Sequence, residues 1–203
     1  MKKIERLLPE EIEKKSFEII SQELKERGIV LPLEEEMITK RVIHTSADFD
    51  YVHTLTYSKD AVKIAKELIG RGADIVTDTN MALAGISKKT LARFGGSAHC
   101  FMAEEEVASH CKTTRAAVSM EKAAAIKKPV IFAVGNAPTA LIRLYEMIEE
   151  RSYCPAFLIG VPVGFVHVEA AKELIMETQV PYIVNRGRKG GSNVAAAICN
   201  AIL

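Results

Sequence analysis

The sequence predicts an α/β fold: a three-layer sandwich in which N-terminal helices precede a mostly parallel sheet of about five strands. From residue 60 onward, short and continuously apolar runs alternate with amphipathic segments. Continuously apolar strands are typical of a parallel sheet that helices cover on both faces. Turn residues such as Gly70-Arg71-Gly72 separate the runs, and we expect right-handed crossovers between the strands.

The predicted elements follow one another in a regular order. Two N-terminal helices come first, one over residues 10–27 and one that follows Pro32 and ends near His44. Residues 50–58 form either a short strand or an extended loop. The expected strands lie at residues 74–78, 98–102, 130–134, 156–161 and 181–185. Helices are expected at residues 60–69, 87–94, 105–127, 138–151, 167–178 and 192–202.

The composition is that of one globular domain spanning residues 1–203, with 48% hydrophobic and 26% charged residues. The net charge of +1 argues against a generally basic nucleic-acid-binding protein. No apolar run approaches a membrane span, and the N-terminus turns acidic where a signal peptide would be apolar. Four cysteines without CxxC spacing fit buried thiols. We therefore expect a cytoplasmic protein without nucleic-acid or membrane partners.

His44 is the first candidate for chemistry, because histidine is the side chain that most readily moves a proton near neutral pH. Three acids begin the predicted helix before it, and Lys40 and Arg41 lie near its end. This charge pattern follows the helix dipole, which would also favour a protonated His44 at the last turn. The same segment is expected if His44 only caps the helix or packs against it and has no chemical role. Both interpretations are open on this segment alone.

The carboxyl ends of the strands predict where a ligand binds, since ligands of open α/β sheets lie outside those ends. Four segments follow the predicted strands at that edge, and all four are rich in glycine, small residues and hydrogen-bonding groups. They are residues 78–85, 135–140, 162–165 and 186–193.

Two of these turns have the character of anion sites. Pro138 suits the first position of a helix, so that Ala137 would be near the cap and the free amides would face an anion. An ordinary strand-to-helix turn needs the same residues. Residues 186–193 combine three cations with three glycines, which suits a carboxylate or phosphate, although a solvated basic turn is the alternative. They match neither a Walker A motif nor GxGxxG, so a nucleotide is not specifically indicated.

Other polar residues carry less weight by themselves. Arg115 could be a surface charge, and Asp78 could be a helix cap. The pairs His99-Cys100 and His110-Cys111 lack the close spacing of zinc ligands, so no metal site is predicted.

Six blocks of the chain, in order, resemble the precorrin-8X and cobalt-precorrin-8 methylmutases of corrin biosynthesis. Each block is weak alone, but the ordered set is specific and covers nearly the whole chain. The blocks are Ile43-His44-Thr45 with Asp48-Phe49, Asp78-Thr79-Asn80-Met81 with Ala84-Gly85-Ile86, Thr114-Arg115-Ala116, Gly135-Asn136-Ala137-Pro138-Thr139-Ala140-Leu141, Gly160-Val161-Pro162-Val163-Gly164-Phe165-Val166 and Arg188-Lys189-Gly190-Gly191-Ser192.

The resemblance implies an isomerase that moves a methyl group within ring C of precorrin-8X or cobalt-precorrin-8, giving hydrogenobyrinate or cobyrinate. It implies that His44 donates a proton to the macrocycle and that no cofactor is required. Cations at residue 115 and at residues 186–189 would pair with the acetate and propionate arms. The full implied substrate-binding set is Ser16, Arg41, Asp78, Thr79, Asn80, Arg115, Gly135, Asn136, Ala137, Thr139, Gly164, Arg186, Arg188, Gly190, Gly191 and Ser192.

The resemblance also implies a homodimer with sites near the subunit interface, and hand-over of the polycarboxylate corrin between neighbouring enzymes of the pathway. Two alternatives belong to other functional classes. One is an enzyme that uses a phosphate or nucleotide at Gly190-Gly191-Ser192. The other is a non-catalytic carrier of corrinoids. Loss of nucleotide binding in Lys189→Ala would indicate the first, and binding without conversion would indicate the second.

Overall fold

A computed structural model describes residues 8–104, 107 and 113–203. The first half of this part contains α1 (Pro9–Glu26), α2 (Leu33–Ser46), α3 (Tyr51–Thr54), β1 (Leu55–Tyr57), α4 (Ala61–Gly70), β2 (Asp74–Thr77), α5 (Asn80–Gly85), α6 (Lys88–Arg93) and β3 (Ala98–His99). The second half contains α7 (Arg115–Ala123), β4 (Val130–Val134), α8 (Pro138–Glu149), β5 (Phe157–Gly160), α9 (Val168–Glu177), β6 (Tyr182–Asn185) and α10 (Ser192–Ile202).

The six strands form one sheet in the order β1-β6-β5-β4-β2-β3. All neighbours are parallel except β1 and β6, which are antiparallel. The predicted α/β class with a mostly parallel sheet is confirmed. The additional strand is β1, within the segment that the sequence left open between strand and loop. An antiparallel strand at the edge of a parallel sheet is common.

Alternate residues of each central strand pack into two separate hydrophobic cores, one on each face of the sheet. In β4, Ile131 and Ala133 belong to a cluster with α2, α4, α5 and α10. Phe132 and Val134 belong to the opposite cluster with α7, α8 and α9. Both faces of the sheet are therefore covered, which is why its strands are continuously apolar.

Several elements differ from prediction, and one of them is α3, a four-residue helix within residues 50–58, where a strand or loop was expected. The strand expected at 98–102 ends at His99, since only Ala98 and His99 pair with β2; the Thr77 hydroxyl can donate to the His99 carbonyl at 3.2 Å. A short helix, α5, was not predicted; Thr79 caps it by accepting the Ala82 amide at 3.1 Å. Of the long helix expected at 105–127, α7 covers 115–123, while residues 105, 106 and 108–112 lie outside the described part.

The strand order places a crevice between the carboxyl ends of β2 and β4. From β2 the chain crosses to β3 on one side, whereas from β4 it proceeds through β5 to β6 on the other. Ligands of open α/β sheets bind where connections diverge in this way. Because β1 runs antiparallel, Leu55 pairs with Asn185 at the same edge, which brings the end of α2 and all of α3 towards it.

No helix in the described ranges combines the length and apolarity that a membrane crossing requires.

Candidate active site

A buried carboxylate occupies the crevice between β2 and β4. Asp78 is fully buried, and its Oδ1 accepts the Gly135 amide at 2.8 Å. Its Oδ2 accepts the amides of Asn136 at 2.8 Å and Ala137 at 2.6 Å. Burial raises the pKa of Asp78, and the three amide hydrogen bonds oppose that rise. The chain thus supplies its own anion to the N-terminus of α8.

This arrangement corrects the predicted anion site. Pro138 does begin α8 and Ala137 is its cap, as predicted. The amides of residues 135–137, however, bind Asp78 and do not face a ligand. The Asp78 side chain is itself fully buried, and its predicted contact with the substrate stays a prediction. The exposed side chain of Asn136 is still available for the predicted contact.

The turns after β2, β4, β5 and β6 lie against one another, as the strand-end rule predicted. The hydroxyls of Thr79 and Ser192 are 2.7 Å apart. A Cβ on Gly135 would lie 2.7 Å from the Ser192 Cα, and one on Gly190 would lie 2.1 Å from the Val161 carbonyl oxygen. Only glycine permits these approaches. The Gly191 amide also donates to Val161 at 2.9 Å.

The basic loop, residues 186–191, is held by two buried side chains that donate hydrogen bonds to its carbonyls, the amino group of Lys172 and the carboxamide of Asn185. Lys172 is fully buried, and its Nζ donates to the carbonyls of Gly187 at 2.7 Å and Lys189 at 2.9 Å. Burial lowers the pKa of Lys172 to about 8. The Asn185 Nδ2 donates to the carbonyls of Arg186 at 3.1 Å and Lys189 at 2.8 Å. These carbonyls point inward, so the loop has a defined shape.

The three cations of the basic loop differ in their partners. Lys189 Nζ donates to Asp48 Oδ2 and Asp50 Oδ2, each at 2.6 Å, and its hydrogen bond lowers the pKa of Asp48. Arg188 Nε donates to Glu169 at 3.1 Å. A substrate arm at Lys189 would have to compete with these two carboxylates, and the expected pairing stays a prediction. Arg186 is exposed and forms no ion pair within the described part of the chain.

His44 lies in the last turn of α2, as predicted, and its ring is exposed. The ring centroid is 5.3 Å from that of Phe17 on α1. Arg41, one turn earlier, lies over the same Phe17 ring at 5.4 Å and pairs with Glu13 at 3.2 Å. Glu13, Phe17 and Arg41 border a cleft of about 310 Å³ between α1 and α2, and His44 is not among the residues that line it. The Ser16 hydroxyl, beside Phe17, donates to its own helix at Ile12.

The remaining predicted residues lie at the rim of the crevice. Thr114 caps α7 and donates to Thr139 Oγ1 at 2.9 Å, so the N-terminus of α7 and its exposed Arg115 lie beside the turn after β4. Asn80 is exposed at the start of α5. The Gly164 amide donates to Arg188 at 3.2 Å, and the neighbouring Phe165 is 83% exposed.

Sequence reasoning missed Lys172, Asn185 and the partners of Lys189. Lysine in an amphipathic helix is ordinarily a surface residue, so nothing in the sequence marked Lys172 as buried. Within the described ranges no cluster of three or more His, Cys, Asp and Glu side chains could hold a metal. Of the two His-Cys pairs, His99-Cys100 has its His99 Nε2 3.2 Å from Asp74 Oδ2. The pair His110-Cys111 lies outside the described ranges.

Comparison with known proteins identifies similar chains over nearly the whole length. A family model described as Precorrin-8X methylmutase matches residues 11–203. The cobalt-precorrin-8 methylmutase of Salmonella typhimurium is 42% identical, covering 96% of this chain and 94% of the relative. That of Priestia megaterium is 40% identical, covering 96% and 87%. The crystal structure of a precorrin-8X methyl mutase from Thermus thermophilus has a TM-score of 0.85 and 36% identity, covering 94% of each chain.

Asp78→Asn should destabilise the protein, since an amide group would place N–H donors against the amides that the carboxylate now accepts. We expect a loss of about 3 kcal/mol in the free energy of unfolding, measured by urea denaturation. The control is Asp60→Asn, because Asp60 is exposed. Equal stability of the Asp78 and Asp60 variants would contradict the buried-anion interpretation.

Lys172→Met should remove a pH dependence of stability. The folded pKa of Lys172 is lowered from 10.5 to about 8, so between these values the unfolded chain binds more protons. Wild-type stability should therefore rise with pH, relative to the variant, by about 1 kcal/mol per pH unit above pH 8. Urea denaturation at pH 7.5, 8.5 and 9.5 measures this, with exposed Lys66→Met as control. A constant difference across that range would contradict it.

Proposed function

Because the chain belongs to the precorrin-8X methylmutase family, whose members are isomerases of corrin biosynthesis, we propose that it moves a methyl group within ring C of precorrin-8X or cobalt-precorrin-8. The products are hydrogenobyrinate or cobyrinate. The observation that carries the proposal is the whole-chain match to this family, with residues 11–203 covered. The convergence of four polar turns at one sheet edge gives a polycarboxylate a place to bind.

His44 is the proposed proton donor. It lies in the last turn of α2, and its exposed side chain is accessible to a large substrate. A proton from His44 onto the conjugated macrocycle draws electron density away from the migrating centre. The enzyme is then complementary to the protonated, migrating state.

The proposed reaction is an internal rearrangement. The bond from the methyl group to one ring carbon breaks as its bond to the adjacent carbon forms, so no group carrier or redox cofactor takes part. Substrate and product are isomers, and the proton that His44 donates must therefore be returned. The neutral imidazole left by the first transfer is the group positioned to accept it.

Carboxylate arms of the substrate require cations that are not already neutralised. Arg115 and Arg186 fit best, because both are exposed and neither forms an ion pair within the described ranges. Arg41 and Arg188 have acidic partners, which an arm would have to displace. Guanidinium groups bind carboxylates bidentately. The other proposed contacts are Ser16, Thr79, Asn80, Asn136, Thr139, Gly164, Gly190, Gly191 and Ser192.

Exposed apolar side chains beside these polar groups support two further proposals. Phe165 and Val166 follow β5, and Leu33 and Met37 lie on α2. We propose that such surfaces contact the face of the macrocycle or a second copy of the chain in a homodimer. We also propose hand-over of the substrate between pathway enzymes and a cytoplasmic location. Cys100, Cys154 and Cys199 are free thiols, which fits a reducing compartment.

The nucleotide alternative receives little support from the site. The amides of residues 135–137 bind Asp78, and Lys189 faces two carboxylates. A phosphate would meet negative charge at both places. A corrinoid carrier has the same binding residues as a mutase, so turnover is what distinguishes the two.

His44→Ala should bind the corrin substrate with affinity close to wild type and lose the isomerisation, because binding depends on the cations and conversion on the proton. Conversion is followed by the change in absorption spectrum, with precorrin-8X and cobalt-precorrin-8 assayed separately. Exposed His53→Ala is the matched control. Full turnover in His44→Ala would remove His44 as the acid, and binding without conversion by the wild type would indicate a carrier.

Arg115→Ala should weaken substrate binding by roughly tenfold at low ionic strength, and by less at high ionic strength, because salt screens an exposed charge pair. Spectroscopic titration with the corrin product at two salt concentrations measures this. Arg93→Ala removes an exposed arginine from α6 and should leave affinity unchanged. An Arg115 variant with wild-type affinity at both concentrations would exclude Arg115 from the site.

A further inference from the structure

We infer that Lys189 is a positioning residue, which ties the end of the His44 helix to the basic loop. The inference rests on the proposed function for the chemical role of His44. Lys189 does not act on the substrate itself. It acts through the segment 46–50, which comprises the last residue of α2 and the connection to α3 and begins two residues after His44.

The segment 46–50 is held by local hydrogen bonds. Helix α2 ends where Ala47 takes a left-handed conformation, with φ of 54°. The Asp48 amide then donates to Ser46 Oγ at 3.3 Å, and the Asp50 amide donates to Asp48 Oδ1 at 2.9 Å. Each aspartate still presents Oδ2 to Lys189, at 2.6 Å in both cases. The ammonium therefore holds two points of one short segment.

Lys189 is itself held firmly on the sheet side. Its carbonyl accepts from buried Lys172 and from Asn185. Asn185 Oδ1 accepts the Thr54 hydroxyl at 2.7 Å, and the Arg186 amide donates to the Thr54 carbonyl at 2.8 Å. Both ends of the connection are thus anchored, one in the sheet and the other at the C-terminus of α2.

The charges around Lys189 favour a positioning role over substrate binding. Two carboxylates face one ammonium, so the cluster of Asp48, Asp50 and Lys189 carries a net negative charge. A substrate carboxylate would have to compete with both aspartates at that ammonium. Loss of Lys189 should therefore disturb where His44 lies and leave the affinity for the arms nearly unchanged.

The test compares Lys189→Met, Lys189→Arg and Asp48→Asn with wild type in steady-state kinetics. We expect kcat to fall roughly ten- to a hundredfold in Lys189→Met, because small displacements of a reacting group have effects of this size. KM should stay within about twofold. Lys189→Arg should recover most of the kcat. Asp48→Asn keeps the Oδ1 acceptor for the Asp50 amide and loses only the charge pair, and its kcat should also fall.

A second readout does not depend on turnover. Ring resonances of the five histidines are recorded by NMR, and His44→Ala assigns the His44 signal. Lys189→Met and Asp48→Asn should shift or broaden that signal, whereas exposed Lys63→Met should not. Melting temperatures identify any variant that is merely unfolded.

Two results would overturn the inference. One is a salt-dependent rise of KM with unchanged kcat in Lys189→Met, which would make Lys189 a substrate ligand. The other is an unchanged His44 signal in the folded variants, which overturns it whether or not the wild type converts a corrin. Absence of conversion by the wild type, together with the expected NMR shifts, would count against the proposed function but would still support the positioning role of Lys189.

Discussion

The hydrogen bonds between the Asp78 carboxylate and the amides of residues 135–137 hold the centre of this molecule together. They join the end of β2 to the start of α8 at the point where the chain connections diverge. The positive end of the helix dipole compensates a buried negative charge there. Removing the carboxylate would leave three backbone donors without an acceptor, and the Gly135 amide is fully buried, so the loss is costlier than that of an average hydrogen bond.

This constraint determines how the site can hold an anion. With the amides of α8 committed to Asp78, the positive charge for a polycarboxylate has to come from side chains at the rim. Arg115 and Arg186 are the exposed cations there that lack acidic partners within the described ranges. The net charge of +1 is compatible with this, because a polyanion responds to local potential and not to the total charge.

The parts of this architecture that the sequence predicts are those that local patterns encode. Continuously apolar runs identified β2, β4, β5 and β6, and Pro138 located the start of α8. The short antiparallel β1 stayed ambiguous, since three residues carry too little periodicity. The pairs Asp78 with Gly135 and Lys189 with Asp48 join residues 57 and 141 positions apart. Such pairing depends on strand order, which a single sequence does not specify, so the sequence could not show that these amides and this lysine already have partners within the chain.

Asp78 and Lys172 are buried groups of opposite charge, and each is stabilised by backbone atoms. A buried charge needs hydrogen bonds or a counter-ion, and here backbone groups serve both, amides for the aspartate and carbonyls for the lysine. Backbone partners hold a loop in one shape. The glycines follow from this, because loops fixed so closely bring Gly135 against Ser192 and Gly190 against Val161. Rigid turns leave the exposed arginines as the adaptable part of the edge, which suits a large ligand with several flexible carboxylate arms.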